Sequence, residues 1–443
     1  MVTSRVDTPA ERFLNSFALQ AADRDPGAGW LEALRRQAAG RARELGFPQR
    51  RSEDWRYSHP SVSRVLALDL QPATPSPSVP RCIEELSIRG LSGPRLVFVN
   101  GRLADAGRPA PWPQGVQVGS LARALTEDPE GVRAHFGRAA PSTEHAFGHL
   151  NTALFRDGAF VRIPKGVRLE SPVELIFITQ SAGRAEASHV RNLIVVEPGA
   201  EATVLEVHGS ADRVGTYFSN VVTEASVADQ AKLTHVRLHQ ESAATFHVAG
   251  LRARQAKESR FESHFVALGG AFVRNEIELR IEGEQAQGSL SGVFVVDGER
   301  QVDNSTVIHH LVPHGTSHEV YKGVLAGASQ GTFKGKIFVH LDAQKTDAKQ
   351  SSAGLLLSDD AIMNTQPNLE IYADDVRCTH GATVGQLRDD ALFYLRSRGI
   401  DRNSARRLLT LAFVGDVLRG LENDVIRDAI EERSTQALDR ILQ

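Results

Sequence analysis

At 443 residues the chain is too long for one compact core, so two or three domains are expected. Hydrophobic residues make up 41 %, enough for sizeable cores, and 51 basic against 54 acidic side chains leave a net charge of -3 with both signs mixed, which argues against a nucleic-acid or membrane-surface binder. Two cysteines, Cys82 and Cys378, leave room for one bridge at most and exclude a disulfide framework.

The first residues, MVTSRVDTPAERF, carry no apolar signal core. The longest apolar run, LLTLAFV, is far shorter than the roughly 20 residues of a membrane span. A cytoplasmic protein is expected. Residues 1–150 read as a mostly helical region. Thr8-Pro9-Ala10-Glu11 has the form of a helix start, with a Thr cap, Pro at the first helical position and an acid in the first turn. Leu14, Phe17, Ala18 and Ala21 then share a face. Leu31, Leu34, Ala38 and Leu45 make a second stripe that ends near Gly46 and Pro48, so a helical hairpin is predicted. Residues 52–57, SEDWRY, read as an exposed loop. Residues 71–80, QPATPSPSVP, hold four prolines and predict an extended linker. Cys82 beside it reads as a bystander. LVFVNG at 96–101 predicts a strand and tight turn, and 121–154 returns to a helical period.

Over residues 151–385 the period changes to two. EATVLEVHG, AKLTHVRLHQ, NEIELRIEG, GSLSGVFVVDG, STVIHHLVPHG, SHEVYKGVLAG and GTFKGKIFVHLDA alternate between two faces, as half-buried strands do. Gly closes most runs and no helical pattern intervenes. Such a series suits a sandwich, a barrel or a solenoid. Short strands, uneven spacing and small residues at the corners favour a β-helix, whose two ends the helical terminal regions are expected to cover. Periodicity alone leaves a sandwich open.

Residues 386–443 read as a helical domain. Asp389-Asp390 opens a short helix that ends at Gly399. Asp401 or Asn403 caps the next, with Leu408, Leu411, Val414, Leu418 and Leu421 on its stripe, and a third carries Ile426, Ile430, Ala437 and Ile441. Leu409, Phe413 and Val417 widen the second helix's apolar face, and a surplus face suggests a partner.

Catalytic templates fail. Gly331-Thr332-Phe333-Lys334-Gly335-Lys336-Ile337 is one residue short of a phosphate-binding loop and lacks its hydroxyl. There is no H-E-x-x-H. Of sixteen histidines, His235, His239, His247, His264, His309, His310, His314 and His318 fall in the strand region. Without acidic or Cys companions, scattered half-exposed histidines are a simpler reading than a metal site. Cys378-Thr379-His380 is the sharper pair, because residues two apart on a strand share a face and a thiolate beside an imidazole suits iron, zinc or a cluster. Two ligands do not close such a site. Asp374 and Asp375 read as turn residues.

The pieces FKGKIFV, AQKTDAKQSS, NLEIYADDVRCTHGATVG and LFYLRSRGI, all within 333–400, closely resemble the SufB/SufD family of the SUF iron–sulfur cluster assembly system. With the strand pattern and the terminal helices, the resemblance covers nearly the whole chain. Gly381 after His380, the two cysteines and Trp55-Arg56-Tyr57 resemble the SufD branch; SufB-like chains have an H-E-A-T-type sequence at 380–383 and more cysteines.

The resemblance implies a mainly β fold, a right-handed parallel β-helix flanked by helical N-terminal and C-terminal regions. It implies a non-catalytic scaffold subunit. SufB would pair through the C-terminal end of the β-helix, and the ABC-type ATPase SufC would bind the C-terminal helices through Phe393, Tyr394, Leu395, Arg396, Arg398, Leu409 and Phe413. His380 matches a residue of the nascent cluster site shared with SufB, and Cys378 a nearby position. It implies no permanently bound cofactor beyond that transient iron–sulfur cluster, and does not decide on a flavin. The unpaired strand edge near 340–380 suggests a homodimer when SufB is absent. The alternative is a polysaccharide-active β-helix enzyme using Asp342, Asp347, Asp359 and Asp360.

Overall fold

The computed structural model describes residues 8–22, 29–74, 79–105, 112–139, 145–181, 183–211 and 215–442. From Ala159 to Gly385 the chain is a parallel β-helix of about eight coils. Successive strands enter two facing sheets in turn. The first sheet runs from Ala159–Ile163 through Glu186–Val196, Tyr217–Val227, Thr245–Gln255, Phe272–Ile281, Gln301–His310 and Gln330–Val339 to Ile362–Ile371. The second runs from Val173–Thr179 through Glu201–Ser210, Lys232–Gln240, Arg260–Ala267, Gln287–Val296, Thr316–Leu325 and Asp347–Leu356 to Arg377–Gly385. Between the two ends, each strand pairs in parallel with the strand one coil before and one coil after, without a register shift.

The corners explain the uneven glycines. In every coil but the last, the turn from the first sheet to the second has one residue in the left-handed region. Gly166 and Gly199 supply it at first, but Gln230, Glu258, Gln285, His314 and Lys345 supply it later, with φ between 56° and 62°. Each non-glycine there costs about 1 kcal/mol, which parallel pairing on both sides holds in place. Glycine spacing is therefore a poor ruler of the repeat.

Alternate side chains point between the sheets. Leu175, Val204, Leu233, Phe261, Leu290, Tyr321, Phe333 and Ala348 belong to this interior. The other side of the second sheet, with Val207, Val236, Leu238, Val266, Val293, Val295 and Val324, is also apolar, and Val414, Val417, Leu418, Leu421, Ile426, Ile430 and Leu438 of the C-terminal helices cover it. Phe13, Ala38, Phe47, Trp55, Val62, Phe147 and Leu150 cover Phe218, Phe246, Val248 and Phe272 on the first sheet. The terminal helices thus lie along the faces instead of capping the ends, contrary to expectation. This is why the middle strands are buried on both faces, and why alternation is clearest after residue 275, where cover thins.

The helix Pro9–Ala22 follows Thr8 as predicted; the side chains of Phe17, Ala18 and Ala21 lie outside the described residues. Residues 52–57 are not an exposed loop. Trp55 closes a 3-10 turn, is 3 % exposed, and lies between the Arg274 guanidinium and the Phe147 ring. The proline-rich segment is not wholly a linker: Gln71–Pro72 adds a strand beside Glu186 and Ala187, and Pro80 opens the helix Pro80–Leu86. A proline at the first helical position sacrifices no helical hydrogen bond. Cys82 on that helix and Cys378 are both free, and burial pushes the Cys82 thiol up to about 11.

Candidate functional site at the open end of the β-helix

The first coils are closed by antiparallel strands, Arg102–Asp105 on Arg95–Val99 and Gln117–Ser120 on Ala159–Ile163. At the other end Ile362–Ile371 and Arg377–Gly385 are paired on one side only. The last strand continues the inward rows of the coil below. Cys378 sits opposite Ala348, His380 opposite Gln350 and Ala382 opposite Ser352. Those three partners are buried, yet among the described residues nothing lies above the last strand, so His380, Ala382 and Val384 of the same row are exposed.

Cys378 and His380 therefore share a face, as strand geometry requires, with Cα atoms roughly 7 Å apart. The thiol is half-buried against the interior core. Burial raises its pKa, opposed by a hydrogen bond from the Ala348 backbone; it stays protonated at neutral pH unless a metal or cation draws the proton off. The His380 imidazole is exposed and offers its nitrogens outward. Leu341, Ile362, Ile371, Tyr372 and Val384 are large exposed apolar residues around this end. An unpaired edge with apolar surroundings is open to pairing with another strand.

The profile of the SufBD core domain, described as SUF system FeS cluster assembly, matches residues 177–413, and the SufBD N-terminal region matches 16–175. The chain belongs to the SufBD family. It is 32 % identical over 392 residues to an iron–sulfur cluster assembly SufBD family protein of Synechocystis, covering 87 % of this chain and 86 % of that one. It is 30 % identical over 397 residues to iron–sulfur cluster assembly protein SufD of Escherichia coli, covering 89 % and 90 %. SufD of Bacillus subtilis is 25 % identical over 442 residues, covering 97 % of each chain.

In this SufBD chain the C-terminal helices Asp389–Ser397, Arg402–Leu418 and Asp424–Leu442 form as predicted, and Asp401 caps the second by accepting from the backbone of Asn403 and Ser404. The surplus apolar face is elsewhere than expected. Val417 is buried against the second sheet. Phe413 is half-buried under the Lys322 ammonium, which lies 4.8 Å from its ring and pairs with Asp416 at 2.8 Å. These residues dock the helix on its own β-helix. The first helix buries nothing, and Phe393 and Tyr394 are 74 % and 58 % exposed, with Leu408 also outward. Leu395 and Leu409 are half-buried, and Arg396 and Arg398 are exposed.

The other sequence candidates separate. Residues 331–337 lie inside the strand Gln330–Val339, paired on both sides, so they form no phosphate-binding loop. Asp342 and Asp347 flank one corner while Asp359 and Asp360 occupy the opposite one, which gives no acidic groove. Of the strand-region histidines, His235, His239, His247, His264 and His310 are buried, while His309 is half-buried and His314 and His318 are exposed. Two residues under His380 carried no sequence signal. Gln350 Nε2 donates to Glu319 Oε2 at 2.6 Å, and both are buried in the row that leads to His380. Burial pushes the Glu319 carboxyl up to about 7.

Proposed function

We propose that this chain is a non-catalytic scaffold subunit in SUF iron–sulfur cluster assembly. It pairs end to end with a SufB-type chain, contributes His380 to the site where the nascent cluster forms, and docks a SufC-type ABC ATPase through its C-terminal helices. The observation that carries this reading is the open last coil, where an unpaired edge, exposed apolar residues and the Cys378–His380 row coincide. The cluster is cargo. His380 supplies one imidazole nitrogen and Cys378 a thiol that metal binding would deprotonate; the remaining ligands come from the partner. ATP is handled by the docked ATPase.

Pairing is tested at Val384, exposed in the last inward row. Val384→Asp puts a charge into the interface while leaving the chain's own core untouched. Co-purification with the SufB-type partner is expected to fall at least about ten-fold, since burying an unpaired charge costs well over 1.4 kcal/mol. Undiminished pairing would place the partner elsewhere. The same substitution reports on a homodimer of the isolated chain.

ATPase docking is better tested by point charges than by truncation. Removing residues 386–443 would bare Val236, Leu238, Val293 and Val295 and confound binding with misfolding. Phe393→Asp with Tyr394→Asp alters side chains that bury little within the chain, so stability should hold within about 1 kcal/mol. Binding of the SufC-type subunit is expected to weaken at least about ten-fold. Unaltered binding would move the docking surface off the first helix.

A further inference from the structure

Inside the β-helix, well before its open end, a polar cluster lies in an otherwise apolar column. Glu201–Ser210 and Lys232–Gln240 place His208 opposite His239. Their rings extend a stack from Phe98 and Phe177, with centroids 5.0, 4.8 and 4.8 Å apart along the series. Stacking accounts for the ring planes but not for what meets them. Glu241 follows the end of the strand, and His247, near the start of Thr245–Gln255 in the facing sheet, closes on the same point. Its ring centroid is 4.3 Å from that of His239 and 4.9 Å from that of His208. Glu241 Oε2 lies 2.7 Å from His247 Nδ1 and 3.7 Å from His239 Nδ1. One donor atom from each of His239, Glu241 and His247 falls within 4.8 Å of the other two.

All four side chains are almost wholly buried. Buried polar atoms nearly always have partners. Yet both ring nitrogens of His239, Nε2 of His247 and Oε1 of Glu241 have no hydrogen-bond partner. His208 Nε2 reaches Glu206 at 3.4 Å, and Arg237 also faces that carboxylate, at 2.9 Å. A carboxylate buried as deeply as that of Glu241 needs a cation beside it. Imidazole nitrogens with one carboxylate are the donor set of zinc-class ions.

We propose that His239, Glu241 and His247, with His208 stacked beside them, form a buried three-ligand site for a divalent transition-metal ion of the zinc and ferrous class. The ion would tie the corner after Lys232–Gln240 to the facing sheet. This site is separate from the open-end row and independent of the function proposed above.

The test uses the full chain without an added histidine tag. Metal content by plasma mass spectrometry is compared between wild type, Glu241→Gln, His247→Ala and His380→Ala, with folding checked by circular dichroism. About one equivalent is expected in wild type and in His380→Ala, falling at least about ten-fold in the other two. Wild type refolded from chelator with Co²⁺ should show tetrahedral visible absorption that Glu241→Gln lacks. If His247→Ala fails to fold, the near-isosteric Glu241→Gln decides. No bound metal together with no Co²⁺ spectrum overturns the proposal, and so does equal metal in wild type and Glu241→Gln.

Discussion

Replacing His380 with alanine is expected to abolish most cluster formation on the complex co-expressed with SufB-type and SufC-type partners, while the complex still assembles. The side chain is exposed on the last strand, and its neighbour below is the buried Gln350, which already donates to Glu319. The substitution therefore changes folding stability by no more than about 0.5 kcal/mol. Under the proposed function it removes a ligand, and an interfacial cluster short of one ligand is held 10- to 100-fold less tightly or worse, by analogy with known metal sites. The measurement is the visible absorption of the cluster, with gel filtration to show intact assembly. Cys378→Ala should cost less, because burial keeps that thiol protonated and half-covered. Full cluster yield from His380→Ala would make the residue structural and leave the chain as a support for its partners.

Glu319→Gln is expected to stabilise the chain by about 3 kcal/mol above pH 7 and to have little effect near pH 4.5. In the fold, burial raises this carboxyl to about 7 from its ordinary 4.5. Between those values the folded chain keeps a proton that the unfolded chain releases, so wild type loses stability as pH rises through the window. At about 1.4 kcal/mol for each pH unit, the window gives the figure quoted. Glutamine preserves the shape and a carbonyl to accept from Gln350 Nε2, but carries no charge to bury. Denaturant unfolding of both proteins at pH 5 and pH 8 checks it. Parallel pH dependence in the two would show that Glu319 is solvated or otherwise neutralised. The outcome bears on the open end, since Glu319, Gln350 and His380 occupy one register row, and a charge that appears in it changes the field under the proposed cluster site.

Period-two segments between residues 151 and 385 identify strands, because alternation is written residue by residue along the chain. The three C-terminal helices are legible for the same reason: caps such as Asp401 and stripes such as Ile426, Ile430 and Ala437 are local. The Cys378-Thr379-His380 pair shares a face by strand geometry alone, and the family resemblance of residues 333–400 agrees with the profile matches. Other features depend on parts far apart in sequence. Trp55 reads as exposed until Arg274 and Phe147 enclose it. Phe413 and Val417 read as surplus until the second sheet supplies what they cover. His239 and His247 read as scattered because coil length, set by corners such as Gln230 and Glu258 and not by a fixed glycine repeat, decides which residues stack. The sequence by itself determined the strands, the helices and the reactive pair, since each follows from the conformational preferences of neighbouring residues. Only the tertiary structure decided which end stays open, which faces the helices cover and which polar groups meet inside, since those depend on contacts between residues a coil or more apart.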